Sequence, residues 1–241
     1  MRCLVISDIH SNFAALMTIV EDAGSVDAIW CLGDVVGYGP KPNECVEWVK
    51  EHCDICLAGN HDAGATNQID LAPFNTYAAM AAVWTERQLS SLSKEYLLSL
   101  SSMVVQDGFT LAHGSPTSPH WRYVQFPDVA LEVLESIDTE HCLVGHTHFA
   151  RVFRQNNNES SVHWIQDETG PISLKDCRIV ANPGSVGQPR DGDPRAAYAI
   201  LDTDNMTWEQ RRVAYPVEET QQQMLDAELP TRLIARLSYG W

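Results

Sequence analysis

Basic residues are scarce in this chain. Its 241 residues include 16 lysines and arginines against 32 aspartates and glutamates, a formal charge of −16 with an isoelectric point near 4.8. A surface of that sign repels nucleic-acid backbones and anionic membranes. Polymeric nucleic acid is therefore not expected as a partner. A small phosphorylated molecule is not excluded, because a bound metal ion inverts the local field. Long apolar runs are also missing: nothing approaches the ~18 residues of a membrane span, and no membrane partner is expected. The first ten residues enter a strand pattern at once, which leaves no room for a signal peptide. Paired cysteine spacing is nearly absent. The seven cysteines are scattered among apolar residues, as buried thiols of a reducing cytoplasm would be. Cys53-x-x-Cys56 alone has redox or metal-knuckle spacing, and no second pair accompanies it. Asn158-x-Ser160 and Asn205-x-Thr207 match the glycosylation pattern by chance in a cytoplasmic chain. No internal repeat, linker or low-complexity run is present, so one domain over residues 1–241 is the simplest organisation.

What is there reads as alternating strands and helices. Residues 2–7, 28–32 and 54–58 are short apolar strands. Residues 12–23 form a helix between the first two, with Phe13, Leu16, Met17 and Val20 on one face. Pro42 suits the first turn of a second helix, carrying Val46, Val49 and Cys53. This βαβαβ opening implies a largely parallel sheet. Residues 73–101 look helical. Residues 103–106 and 109–112 flank Asp107-Gly108, a hairpin signal. Residues 130–137 form a helix and residues 141–144 a strand. The chain from 149 to 213 is strand-rich, with turns at Asn156-Asn157-Asn158, Thr169-Gly170-Pro171 and residues 202–205. Residues 218–237 return to helix, interrupted at Pro230, with Leu233, Ile234 and Leu237 expected to pack on the sheet edge.

Five strand ends share one grammar. An apolar strand runs into a small residue or tight turn, then into a metal-capable side chain. The segments are Asp8-Ile9-His10, Gly33-Asp34, Gly59-Asn60-His61-Asp62, His113-Gly114 and Gly145-His146-Thr147-His148. In open α/β sheets, sites form outside the carboxyl ends of the strands. Residues i and i+2 of an extended segment face the same way, which sets Asp8 beside His10 and His146 beside His148. Asp and His suit borderline transition ions, and Asn adds a neutral carbonyl oxygen. Each element alone has a structural explanation in turns, caps or interior histidines. Their joint occurrence points to one metal site.

Together these motifs resemble the calcineurin-like metallophosphoesterases. They run from residue 8 to residue 148, and Asn182-Pro183-Gly184-Ser185-Val186-Gly187 extends the likeness. The fourth block departs slightly, reading Ala112-His113-Gly114 where many members have Gly-His; the ligand is retained. The resemblance implies an α/β fold, a four-layer αββα sandwich of two mixed β-sheets with two metal ions at the strand ends. Carried over residue by residue, Asp8, His10, Asp34 and His148 would bind one ion. Asp34, Asn60, His113 and His146 would bind the other, with Asp34 bridging. Manganese, iron, zinc and nickel all suit these ligands. His61 is not a ligand in the family pattern. It is the candidate general acid or transition-state stabiliser, with Asp62 to orient or charge it.

Three further groups are candidates for contact with substrate. Tyr38, in the glycine-flanked loop after Asp34, would stack, hydrogen-bond or simply pack. Arg190 would clamp a phosphate or pair with a nearby Asp. Trp121, Arg122 and Tyr123 would line a pocket or pack at its rim. The expected function is a binuclear metal-dependent phosphoesterase acting on a small phosphodiester or nucleotide by attack of a metal-activated hydroxide. A serine/threonine phosphoprotein phosphatase is the enzymatic alternative, and a non-catalytic metal-binding scaffold the alternative of another class. The sequence leaves metal identity and oligomeric state open.

Overall fold

The computed structural model describes residues 1–157, 159–165 and 170–241. In chain order its elements are β1 (Arg2–Ile6), α1 (Phe13–Ala23), β2 (Ala28–Cys31), α2 (Pro42–His52), β3 (Ile55–Cys56), α3 (Asn60–Ala65), α4 (Thr76–Gln88), α5 (Ser91–Ser99), β4 (Met103–Gln106) and β5 (Phe109–Ala112). There follow α6 (Pro127–Glu135), β6 (His141–Val144), β7 (Ala150–Asn156), β8 (His163–Ile165), β9 (Ile172–Ser173), β10 (Cys177–Pro183), β11 (Ala196–Asp202), β12 (Thr207–Val213), α7 (Val217–Asp226) and α8 (Thr231–Arg236). The predicted turn at Asn156-Asn157-Asn158 and that at Thr169-Gly170-Pro171 each extend outside the described residues. Asn158 of the glycosylation pattern also lies outside them.

Two mixed six-stranded sheets result, ordered β3-β2-β1-β11-β12-β9 and β4-β5-β6-β10-β7-β8. Alternation along the strands sets the layers, because successive side chains point to opposite faces. Cys3 and Val5 of β1 join Trp30, Leu32, Phe109, Leu111, Leu143 and Ile179 in a core between the sheets. Leu4 and Ile6 face the other way, toward Leu16 and Ile19 of α1 and Val46 and Val49 of α2. On the far side, Cys142, Val144 and Val180 pack against Ala130, Val133 and Leu134 of α6. The order is helix, sheet, sheet, helix. Strands covered on both faces read as unbroken apolar runs, which is why β1, β2 and β6 were plain in the sequence.

Strand direction places the site. Strands β1, β2 and β3 are mutually parallel, as are β5, β6 and β10. Each expected ligand follows the carboxyl end of one of these strands. The antiparallel strands β4, β7, β8, β9, β11 and β12 supply none.

Several expectations change in detail. The helical stretch 73–101 is two helices, because Ser90 leaves helical geometry and caps α5 by accepting from the Ser93 N–H. Gly59-Asn60-His61-Asp62 opens the short helix α3. Helix α1 buries Ala15, Leu16, Ile19 and Ala23, and Met17 faces outward. The hairpin turn is as expected: Asp107 (φ 49°) and Gly108 (φ 82°) are both left-handed, as a type I′ turn requires. Leu233, Ile234 and Leu237 pack on Tyr38, Ala78 and Met224 rather than on a sheet edge. All seven cysteines are free, and burial pushes the Cys53 thiol well above its ordinary value, away from a reactive thiolate. Among the described residues no helix is long and apolar enough to cross a membrane.

Candidate metal centre

The backbone at the strand ends is bent into an uncommon shape. Asp8, His10, Asp34, His146 and His148 all have positive φ, between 49° and 64°. Such geometry costs on the order of 1 kcal/mol or more per non-glycine residue, and it persists only where the surroundings enforce it. Here cross-strand hydrogen bonds enforce it. The Asp8 N–H donates to the Gly33 carbonyl (3.0 Å), His10 to Asp34 (3.0 Å) and Gly145 to His113 (2.8 Å). Gly59 must be glycine: a Cβ there would sit 2.0 Å from Asp34 Oδ1.

The Asn182–Gln188 stretch, which begins in the last two residues of β10, braces two of these ends. Asn182 Nδ2 donates to the Gly145 carbonyl (2.6 Å) and the Thr147 hydroxyl (2.9 Å). The Ser185 hydroxyl donates to the Asp8 carbonyl (2.8 Å). These supporting residues were missed as individuals in the sequence; only the Asn-Pro-Gly-Ser likeness signalled them.

Three imidazoles are then aimed by backbone carbonyls. His10 Nδ1 faces the Val36 carbonyl at 3.0 Å, His113 Nδ1 that of Leu32 at 2.9 Å, and His148 Nδ1 that of Gln188 at 2.6 Å. A carbonyl only accepts, so Nδ1 carries a proton, and in the neutral ring Nε2 is left to offer its lone pair. Each carboxylate is half satisfied. Asp8 Oδ2 accepts from the His146 N–H and Asp34 Oδ1 from the His61 N–H. Asp8 Oδ1 and Asp34 Oδ2, like His146 Nε2, are buried without a partner.

These acceptors crowd together. His10 and His148 bring their Nε2 atoms within 3.1 Å. His113 Nε2 lies 3.3 Å from Asp34 Oδ2 and 3.2 Å from Asn60 Oδ1. Asp8, His10, Asp34 and His148 place ligand atoms within 4.8 Å of one another, as do Asp34, His113 and His146, and Asp34 belongs to both groups. Lone pairs converging in a buried space repel unless a cation lies between them. Imidazole nitrogen with carboxylate and amide oxygen is the donor set of divalent transition ions. The residues present fit such ions.

The electrostatics agree for three of the four rings. Burial holds His10 and His148 well below their ordinary value and draws His146 down to about 3, so these rings are neutral, as ligands must be. Burial pushes Asp8 up to about 7. Burial opposes the charged forms of Asp34 and His113 as well. Their mutual attraction wins, holding Asp34 well below its usual range and His113 up at about 10, so His113, unlike the other three rings, must yield a proton to any cation it binds.

Above the cluster opens a cavity of about 250 Å³, lined by Asp34, Asn60, His61, His146 and His148 and walled by Tyr38, Phe74, Trp121, Tyr123 and Arg190. Tyr123 stacks on the His146 ring with centroids 4.2 Å apart. Trp121 meets Phe74 edge to face at 5.3 Å. Arg122 turns away to pair with Glu132. Phe74 was not singled out in the sequence; a lone aromatic between proline and asparagine was its only signal. Arg190 does not pair with a neighbouring aspartate. Its guanidinium bonds Gln188 Oε1 (2.9 Å) and the Tyr38 hydroxyl (3.3 Å), while Asp191 goes to Arg212. Tyr38 both packs and lines the cavity, its ring 4.3 Å from that of His61.

His61 lies in the cavity floor against Gly37, whose φ of 94° lets it lie where a Cβ would come 2.6 Å from His61 Nδ1. Burial draws His61 down to about 4. Asp62 does not orient or charge it. The Asp62 carboxylate is consumed by backbone N–H groups of Val36 (2.9 Å), Gly59 (2.9 Å) and Val35 (3.3 Å), and so ties the loop after β2 to the start of α3.

The family model for the calcineurin-like phosphoesterase superfamily domain matches residues 1–206. The chain belongs to that superfamily. It is a phosphoric ester hydrolase of a metal-dependent family, and its Asp/His cluster could bind metal. A crystal structure of a metallophosphoesterase from Sphaerobacter thermophilus is 41% identical, covers 100% of this chain and 99% of that one, and superposes with a TM-score of 0.89. An uncharacterized protein of Methanocaldococcus jannaschii is 36% identical over 98% of this chain and 97% of its own length. A symmetrical bis(5'-nucleosyl)-tetraphosphatase of Psychromonas ingrahamii is 36% identical over a local stretch, 26% of this chain and 24% of that protein.

Proposed function

We propose that this phosphoesterase is a single-domain binuclear enzyme of small phosphodiesters and nucleotide-type substrates. Asp8, His10, Asp34 and His148 would hold one ion; Asp34, Asn60, His113 and His146 would hold the second, with Asp34 shared. One observation carries this reading: unpartnered carboxylate oxygens and unprotonated ring nitrogens converge beneath a small, aromatic-walled cavity. When bound, such ions supply Lewis-acid charge and a water acidified toward neutrality.

The chain's own residues do the rest. Arg190 presents guanidinium N–H groups to a phosphoryl oxygen, the bidentate geometry arginine favours. His61, neutral at pH 7, donates a ring N–H to the leaving oxygen as charge builds there. Phe74, Trp121 and Tyr123 offer faces to a planar leaving group and shield the floor from bulk water. The local likeness to a nucleotide-cleaving enzyme supports a nucleotide over a phosphoprotein.

The test is hydrolysis of bis-p-nitrophenyl phosphate by manganese-reconstituted protein, with a chelated control. Chelator-sensitive turnover is expected. No turnover with both ions bound would sink the diesterase reading, and release of phosphate from a phosphoserine peptide would then favour the phosphatase.

A further inference from the structure

The cleft continues away from the metal centre onto α8. Arg232 and Arg236 lie one turn apart there, on one face of the helix. With Asn75, Thr76, Tyr77 and Leu233 they line a second cavity of about 330 Å³. Asn75 also lines the cavity over the metal centre, so the two spaces adjoin. The apolar cluster that joins Leu233 and Leu237 to Tyr38 holds α8 against the loop after Asp34.

Three cations gather around these cavities, Arg190 at the first and Arg232 and Arg236 at the second. Among the described residues the Arg190 guanidinium bonds Gln188 and Tyr38. Arg232 stands over the Tyr77 ring at 5.6 Å. Arg236 gives its Nε to the Trp241 main-chain oxygen. Among the described residues none of the three pairs with a side-chain carboxylate, whereas Arg122, Arg195, Arg211 and Arg212, four of the other nine arginines, do. Burial and then the nearby Arg190 charge draw Arg236 down to about 10. Cations left facing one another cost stability until an anion settles between them.

We propose that Arg232 and Arg236 form a distal phosphate subsite. It takes the portion of a polyphosphate chain beyond the phosphoryl group held at the metal centre, with Arg190 between the two. The inference rests on the phosphoester-cleaving reading of that centre and narrows its substrates to nucleotides with consecutive phosphates. Guanidinium forks match phosphate oxygens two at a time, which a lysine ammonium does not.

Two readouts test it. In calorimetry, the manganese-loaded full chain is titrated with inorganic tripolyphosphate, with manganese matched in cell and syringe. Affinity is expected to fall tenfold or more in Arg232→Gln/Arg236→Gln and to recover in part in the double lysine variant. In kinetics, kcat/KM for diadenosine tetraphosphate relative to bis-p-nitrophenyl phosphate should fall by a similar factor. Should the double variant unfold, Arg232→Gln alone, on an exposed residue, is the readout. Equal affinity in folded variant and wild type overturns the subsite, as does a wild type that binds no tripolyphosphate. Arginine-dependent binding in a protein that cleaves neither ester keeps the subsite and sinks the proposed activity.

Discussion

Strand β6 carries a histidine at its start and two more just past its end. All three rings are buried. His141, at the amino end, stacks near Phe109 (5.0 Å), and its Nδ1 meets no partner. His146 and His148, at the carboxyl end, sit on left-handed backbone among Asp8, Asp34, His10 and His113. Burial lowers the pKa of all three. Neither burial nor a depressed pKa therefore marks a ligand. What separates the two ends is strand polarity, which gathers carboxyl ends of parallel strands at one edge, and the carbonyls and carboxylates that wait there.

The sharpest way to break that contrast is Asp34→Asn, at the residue both clusters share. Turnover should drop on the order of a thousandfold, about 4 kcal/mol of transition-state stabilisation, with metal content falling in parallel by elemental analysis. Full metal content with intact turnover would show the shared carboxylate to be dispensable. His61→Ala should leave metal content unchanged and lower turnover roughly a hundredfold. Near-wild-type activity in a metal-replete variant would remove His61 from the chemistry.

The opposite end of β6 should answer to pH. The folded pKa of His141, drawn by burial from 6.5 to about 4, lies below its unfolded value. The unfolded chain then binds the extra proton, so stability falls as pH drops from 6.5 toward 4. The loss should be about 2 kcal/mol at pH 5 by linkage. His141→Phe should flatten that part of the denaturation profile and leave metal content alone. An unchanged slope would assign the acid sensitivity elsewhere. The smallest effect belongs to the cavity wall: Trp121→Ala should raise KM for an aryl diester by about three- to tenfold, the worth of one aromatic contact. An unchanged KM would place the aryl group away from Trp121.

The layers and the metal-capable residues were legible because each rests on a short-range signal. Doubly covered strands are largely apolar, and a metal-capable side chain follows several of them within a few residues. Distant partners were not legible. Asp62 sits next to His61 in the chain, yet its carboxylate belongs to the backbone of Val35, Val36 and Gly59. Arg190 is followed closely by Asp191 and Asp193 and bonds Gln188 and Tyr38 instead. Phe74 and α8 reach the cavity only through tertiary packing, which no local period encodes.

The two candidate ligand groups draw on residues from Asp8 to His148, and Asp8 and His148 depend on contacts to the segment ending at Gln188. No hairpin or βαβ unit contains either group complete. Ions can therefore be captured only late, after the two sheets have docked, when most long-range contacts already exist. Interactions absent from the transition state act on unfolding alone. Metal present during refolding should leave the folding rate where it was and lengthen the lifetime of the native chain, an effect on kinetic persistence rather than on speed of assembly.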